Sequence, residues 1–279
     1  MNAARGRSGR RLILNADDYA MDAAVDDAIL ALAERKIVTA ASAMVLSPRW
    51  REAAAALSPR PVDIGLHFDL TSPFTTDLYG SRLARLIADS HARRLPDAQL
   101  RRAVEAQLDL FEDAVGRPPD FVDGHQHVHQ LPGVRTALVE ALARRYGRSV
   151  GRIGVRICKP RRWRGMKAEV IGALGARRLA SLATRRGHAI NSDFVGVYDF
   201  SGDARLSAEW KRWLATLHGE APLAMCHVAV TGPAPEDDPI REKRLKEFAW
   251  LASNEFQELC AESSVTLSRW PDRKPAPAG

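Results

Sequence analysis

Cysteine is scarce. Cys158, Cys226 and Cys260 are the only three in 279 residues, an odd number without Cys-x-x-Cys spacing. A disulfide framework is therefore not expected, and a reducing compartment is the simpler setting. Long apolar runs are also missing: none approaches the roughly 18 residues of a membrane span. The basic opening MNAARGRSGRR is followed by no apolar stretch of signal-peptide length, because Leu12–Leu14 leads straight into acids. Export and membrane insertion are disfavoured, so a cytoplasmic chain is expected, with peripheral attachment to a membrane surface left open. Aromatic residues are few at 6%, and no internal repeat or long linker breaks the chain.

What is present is an ordinary globular composition, 46% hydrophobic and 27% charged, in a chain long enough to bury a core without staples. Short apolar β-type runs alternate with longer helical patterns. Strands are expected at 12–15, 39–46, 63–70, 121–129, 152–158, 189–195 and 222–230, with a short last one at 265–267. Helices are expected at 22–36, 50–57, 97–115, 134–145, 166–186, 208–218 and 240–261. In the first helix Val25, Ile29 and Leu32 share a face. Such alternation predicts a parallel sheet with helical crossovers. Seven or eight units of one composition favour an α/β fold with a single β/α barrel of about seven parallel strands over an open sheet. One domain over 1–279 is expected, frayed at about 1–10 and 271–279. The stretch 72–119 is longer than one crossover helix needs and is a lid candidate.

Polar residues collect where those strands end, which is where a parallel barrel carries its chemistry. The adjacent carboxylates Asp17 and Asp18 follow a buried strand and are costly there unless a cation or metal offsets them. Their side chains point in different directions, so one can bind a metal while the other takes a proton. An acidic helix start is the simpler alternative, although Asp22 already fills the N-cap role. His67 ends the third strand and reads either as a satisfied core residue or as a ligand. In Asp123-Gly124-His125-Gln126-His127-Val128-His129, a strand places residues 125, 127 and 129 on one face. Three imidazoles there suit a metal site with one histidine as ligand and the others touching substrate or orienting the first, unless the run is a surface turn. One Asp and two His leave open positions for water and substrate, a catalytic pattern. Imidazole ligation suits zinc, cobalt, nickel or iron better than magnesium.

Arg156 lies inside an apolar strand and needs a carboxylate. Asp17 is a plausible partner, with a rim arginine as the alternative. His227 closes the run 222–226 and is placed to protonate a leaving amine, or else is a buried structural histidine. Cys226 beside it reads as a small buried apolar residue. His91, His188 and His218 fall in helix or loop contexts and look incidental.

The formal charge is +7, but it is uneven. Residues 141–186 carry 14 cations against the single acid Glu169, a local +13, which leaves −6 elsewhere. Within this segment Trp163 and the apolar set Met166, Val170, Ile171, Leu174 and Leu182 fit either an ordinary barrel helix with a solvated basic face or an interfacial helix on anionic lipid.

Leu14-Asn15-Ala16-Asp17-Asp18-Tyr19, Gly65-Leu66-His67-Phe68-Asp69-Leu70-Thr71, Asp123 to His129 and Met225-Cys226-His227 together resemble the YdjC-like carbohydrate deacetylases. That family includes chitooligosaccharide deacetylases and hopanoid-biosynthesis-associated proteins. The pieces occur in family order across about 12–230. The resemblance implies a polysaccharide-deacetylase-like β/α barrel and a divalent metal on Asp18, His67 and His125, whether zinc, magnesium or another transition metal. It further implies Asp17 as base, and Arg156 and His227 in catalytic support. His127 and His129 remain for substrate. Three positions depart from the family pattern: Ala20 replaces a usual Gly, Gln126 a frequent His, and Val228 a usual Pro.

The expected reaction is metal-dependent removal of an N-acetyl group from an amino sugar, on an oligosaccharide or glycolipid. The alternatives are hydrolysis of another amide or a phosphate ester, and a non-enzymatic protein binding nucleic acid or another anion. Expected partners are an N-acetylated sugar and, through 141–186, an anionic lipid or a phosphate-bearing substrate. Nucleic acid is not expected, and a homodimer is left open.

Overall fold

The run RRLILNADDY forms one long strand, β1 (Arg10–Tyr19), buried from Leu12 onward. Burial on both faces is what a central strand of a parallel sheet between helices requires, and it explains the near-continuous apolar run. The computed structural model describes residues 10–75, 82–147, 153–198, 206–232 and 238–271. The expected frayed ends therefore lie outside the described residues, except that Arg10 already pairs with Val265 and Pro271 is placed.

After β1 come α1 (Ala23–Glu34), β2 (Ala40–Ala43), α2 (Trp50–Leu57), β3 (Asp63–Phe68), α3 (Leu83–His91), α4 (Asp97–Val115), β4 (Phe121–Gly124) and α5 (Val134–Tyr146). Then follow β5 (Gly154–Val155), α6 (Met166–Ala173), α7 (Ala176–Arg185), β6 (Ala189–Ile190), β7 (Phe194–Val195), α8 (Leu206–Ala215), β8 (Leu223–Cys226), α9 (Arg241–Leu251), α10 (Asn254–Glu262) and β9 (Val265–Leu267). As its sequence position suggests, Asp22 caps α1 by accepting a hydrogen bond from the Val25 N–H. The long stretch between β3 and β4 holds the crossover helix α4, which packs on α2 and α5, and the additional helix α3.

The strands are all parallel, in the order β6-β5-β4-β3-β2-β1-β8-β7, with β9 pairing with the start of β1. The two outermost strands, β6 and β7, are separated by only residues 191–193. Four Cα steps of about 3.8 Å span at most about 15 Å. The two ends of the path are thus tethered close together, and the sheet must curl into a β/α barrel rather than lie open. Helices surround it.

Several expectations change in detail; the strands expected over 39–46, 152–158 and 222–230 shorten to 40–43, 154–155 and 223–226, so Arg156 and His227 fall just past their strands. The run 189–195 is two strands at opposite ends of the path, which raises the count from about seven to eight, with β9 in addition. The strand expected over 121–129 stops at Gly124, because Gln126 and His127 take left-handed backbone angles (φ 51° and 62°) and residues 125–130 form a kinked 3-10 turn. The helix over 166–186 is two, broken at Gly175 (φ 138°), and that over 240–261 is two, with Ser253 capping α10 through the Phe256 N–H.

Gly65 in β3 faces the Phe121 ring of β4, and a Cβ there would come within 2.6 Å of three ring carbons. Gly65→Ala is expected to destabilise the fold by at least about 2 kcal/mol through overpacking. Urea unfolding of the variant checks this, and an unchanged midpoint would contradict the packing described.

Candidate metal centre

β1 ends in an irregularity. Its register with β2 shifts between Ala16 and Tyr19, and Asp18 has φ 69°. In a regular strand Asp17 and Asp18 would face opposite sides of the sheet. The bulge instead lets both carboxylates engage groups from the ends of neighbouring strands. Ala20 is also left-handed (φ 73°), a conformation glycine takes without penalty, so the departure at this position places a side chain where backbone freedom is wanted.

Asp18 Oδ1 lies 3.4 Å from His67 Nε2 and 3.1 Å from His125 Nδ1. One ligand atom from each of these three residues falls within 4.8 Å of the others. Ligand atoms held about 2.0–2.2 Å from a shared ion stand roughly 3.0–3.5 Å apart at ordinary coordination angles, so both measured separations suit one cation. His67 Nδ1 is 2.6 Å from Asp123 Oδ1. That carboxylate holds the Nδ1–H and turns the Nε2 lone pair toward Asp18, the usual support of a metal-binding imidazole.

Arg156 Nη1 is 2.6 Å from Asp17 Oδ1 and 2.9 Å from Asp123 Oδ2, all buried. Asn15 Nδ2 donates to Asp17 Oδ1 (2.7 Å) and to Ser42 Oγ (2.8 Å), and Ser42 Oγ donates to Asp123 Oδ2 (2.5 Å). On the other flank, Arg244 of α9 reaches Asp18 Oδ2 (2.7 Å) and Asp238 Oδ2 (2.8 Å). His227 Nε2 stands 3.9 Å from Asp17 Oδ2, and its backbone N–H donates to Glu247 Oε2 at 3.0 Å. Tyr198 donates its hydroxyl to the other Glu247 oxygen (2.6 Å).

The charges explain the titration behaviour. Burial works against the charge on Asp17, but Arg156, His67 and His227 outweigh it and hold the carboxyl below the usual range. Burial also opposes ionisation of Asp18, and Arg244 with hydrogen bonds from His125 and His67 holds it well below that range. For His67, burial pulls the pKa down while Asp123, Asp18 and Asp17 carry it up to about 10. Burial lowers His227, assisted by Arg244 and Arg156 against the pull of Asp18 and Asp17. Leaving aside Glu247, which burial carries up to about 7, four carboxylates, Asp17, Asp18, Asp123 and Asp238, thus meet two guanidiniums, Arg156 and Arg244. The surplus of two negative charges is what histidine protons or a divalent cation would match.

The sequence candidates divide at the kink. The strand-face expectation for His125, His127 and His129 is overturned, because the left-handed residues send them three ways. His125 joins Asp18. His127 lies half-buried with Nδ1 3.5 Å from Cys158 Sγ and its ring edge toward Phe194. His129 is fully buried and donates Nε2–H to the Arg156 carbonyl at 2.9 Å, so it ties the turn to the chain after β5 and is not exposed to a substrate. Cys226 is buried and its thiol is pushed well above the usual range, chiefly by burial, consistent with an apolar role. Ser42, Asp238, Arg244, Glu247 and the support role of Asp123 were not singled out from sequence. Asp123 offered a signal, an acid inside an apolar strand two residues before His125. Arg244 and Glu247 offered none in the charged run REKRLKEF.

The family model for YdjC-like proteins matches residues 11–262. A chitooligosaccharide deacetylase of Yersinia pestis (strain Pestoides F) is 32% identical over 141 residues, covering 48% of this chain and 55% of the relative. One of Enterobacter sp. (strain 638) is 29% identical over 141 residues, covering 48% and 56%. The match thus spans about half the length of these curated relatives. A solved structure from Enterococcus faecalis V583, of a protein named for cellobiose-phosphate cleavage, superposes with TM-score 0.68 over 94% of this chain and 98% of that one. At 20% identity that likeness speaks to the fold alone. With the family model matched from the first strand to the last helix, the chain belongs to the YdjC-like family.

Proposed function

We propose that the chain is a metal-dependent hydrolase that removes the N-acetyl group from an amino sugar. The observation that carries this reading is the Asp18-His67-His125 cluster beside a second carboxylate, Asp17, whose Oδ2 accepts no hydrogen bond among the described residues. The relatives named as chitooligosaccharide deacetylases support the substrate class.

Asp18 Oδ1, His67 Nε2 and His125 Nδ1 would hold a divalent cation. When bound, that ion supplies Lewis-acid polarisation of the acetyl carbonyl and a lowered pKa for water. Asp17 Oδ1 already accepts from Arg156 and Asn15, so its Oδ2 is the atom that takes the water proton. The same partners keep Asp17 ionised and prevent its rotation. His227 faces that oxygen and delivers a proton to the departing amine. An imidazole with a depressed pKa is a stronger acid once protonated, which suits the delivery. Water plus amide gives acetate plus the protonated amine: both water protons end on nitrogen, the first carried from Asp17 Oδ2 to His227 and on to the departing amine. Half-buried His127 is the remaining candidate for sugar contact.

Asp17→Asn should retain metal and lose acetate release by about 10²–10⁴-fold, the usual worth of a positioned base. Metal content and acetate assays on one preparation check this, and wild-type turnover would remove Asp17 as the base. His125→Ala should instead lose the metal itself. Asp123→Asn is expected to weaken metal affinity about 10–100-fold by releasing His67; a competition titration with a chromogenic chelator reads it, and unchanged affinity would show that Asp123 serves the fold only.

A further inference from the structure

Outside the metal centre, a cavity of about 510 Å³ opens between the turn after β4 and helices α6 and α7. His91, Arg135, Lys159, Glu169, Arg177 and Arg178 line it. Four permanent cations thus face one acid, and that acid is engaged by Lys159 at 3.6 Å.

Arg135 is the unusual member. It is only 9% exposed, yet among the described residues its guanidinium meets no carboxylate, and its hydrogen bond goes from Nη1 to the Gln130 carbonyl at 2.8 Å. Burial and the neighbouring Arg178 both depress its pKa, and no acid acts in the opposite direction. A buried guanidinium left without an anion is costly. The other buried arginines among the described residues, Arg156, Arg164 and Arg244, each have one or two carboxylates.

Helix α7 repeats the pattern. Its N-terminal turn carries Arg177 and Arg178 and no acid, and no side chain caps it. The positive end of a helix favours acids and repels arginines. Gly175, just before the helix, is packed so closely on the Gln130 carbonyl and Arg135 Nη1 that any Cβ would collide with both. The helix start is therefore pressed against Arg135, and Arg177 and Arg178 line the same cavity.

We propose that this cavity is a phosphoryl-binding site, with Arg135 buried in its wall and Arg177, Arg178 and Lys159 around it, taking a phosphate monoester or diphosphate group. Such a group matches the planar donors of arginine and the helix N-terminus together. The phosphate of a soluble ester and that of a lipid headgroup share this chemistry. The site goes beyond the deacetylase reading, because its binding needs neither Asp18 nor a metal.

Calorimetric titration of the full chain in a chloride buffer with chelator, using inorganic phosphate, pyrophosphate and glycerol 3-phosphate, tests the proposal. Sedimentation with phosphatidic acid and phosphatidylcholine vesicles runs in parallel. Binding of at least one phosphate is expected, weakened about tenfold or more by Arg135→Gln and by the exposed double change Arg177→Gln/Arg178→Gln. Arg178→Gln alone should match or exceed the wild-type melting temperature without phosphate, by relieving repulsion, and should lose the upward shift that phosphate gives the wild type. Phosphatidic acid binding that is lost in the double variant identifies a headgroup, and binding of soluble ligands alone identifies a soluble ester. No binding above the chloride background, or binding within twofold of wild type in both variants, overturns the site. Because the readout is binding with chelator present, its failure is distinct from failure of the deacetylase reading.

Discussion

Arg156 is the constraint on which the rest of the mouth depends. Its buried Nη1 bridges Asp17 Oδ1 and Asp123 Oδ2. Through the first it ionises the proposed base and leaves only Oδ2 free. Through the second it positions the carboxylate that orients His67. Its own backbone carbonyl anchors His129, and so the kinked turn that delivers His125. A buried charge pair of this kind is weak as a source of stability, but removing one partner strands the others at a cost of about 3–5 kcal/mol. The arrangement therefore reads as one built for geometry rather than stability.

Much of this was legible in the sequence. The strand ends bearing Asp17, Asp18, His67, His125, Arg156 and His227 follow from βα alternation, because a parallel barrel gathers strand C-termini on one face. The pairing of Arg156 with Asp17 follows from the cost of a lone buried guanidinium. The fate of the three histidines was not legible: alternation predicts one face for 125, 127 and 129, and only the backbone angles of Gln126 and His127 separate them. Gln126 sits where the family often has another histidine, and polar residues of either kind give no periodicity signal for a left-handed turn. Arg244 was hidden for a different reason. On α9 it is set apart from its cationic neighbours Lys243 and Lys246 by facing inward, which the charged run does not reveal.

The basic segment changes meaning once folded. Arg144 and Arg145 are matched by Glu105, Asp109 and Glu112 of α4, Arg186 by Glu140, and Arg164 by Asp193. Five acids from outside the segment thus offset part of its local +13. Among the described residues, Arg177 and Arg178 of the segment have no ion pair with an acid, and they line one cavity with Arg135. A diffuse basic face would have favoured any polyanion; a few convergent guanidiniums favour a compact one. The molecule then presents two complementary electrostatic centres, an acid-rich mouth suited to a cation and an arginine-lined cavity suited to an anion.

The central claim is that the Asp18-His67-His125 cluster supports metal-dependent amide hydrolysis on an amino sugar. Acetate release from a panel of N-acetylated glycans and glycolipids tests it most directly, measured after chelation and again after adding back single divalent metals. The account predicts release that chelation abolishes and at least one metal restores. Release unaffected by metal removal, or none from any N-acetylated sugar with any metal, would contradict it.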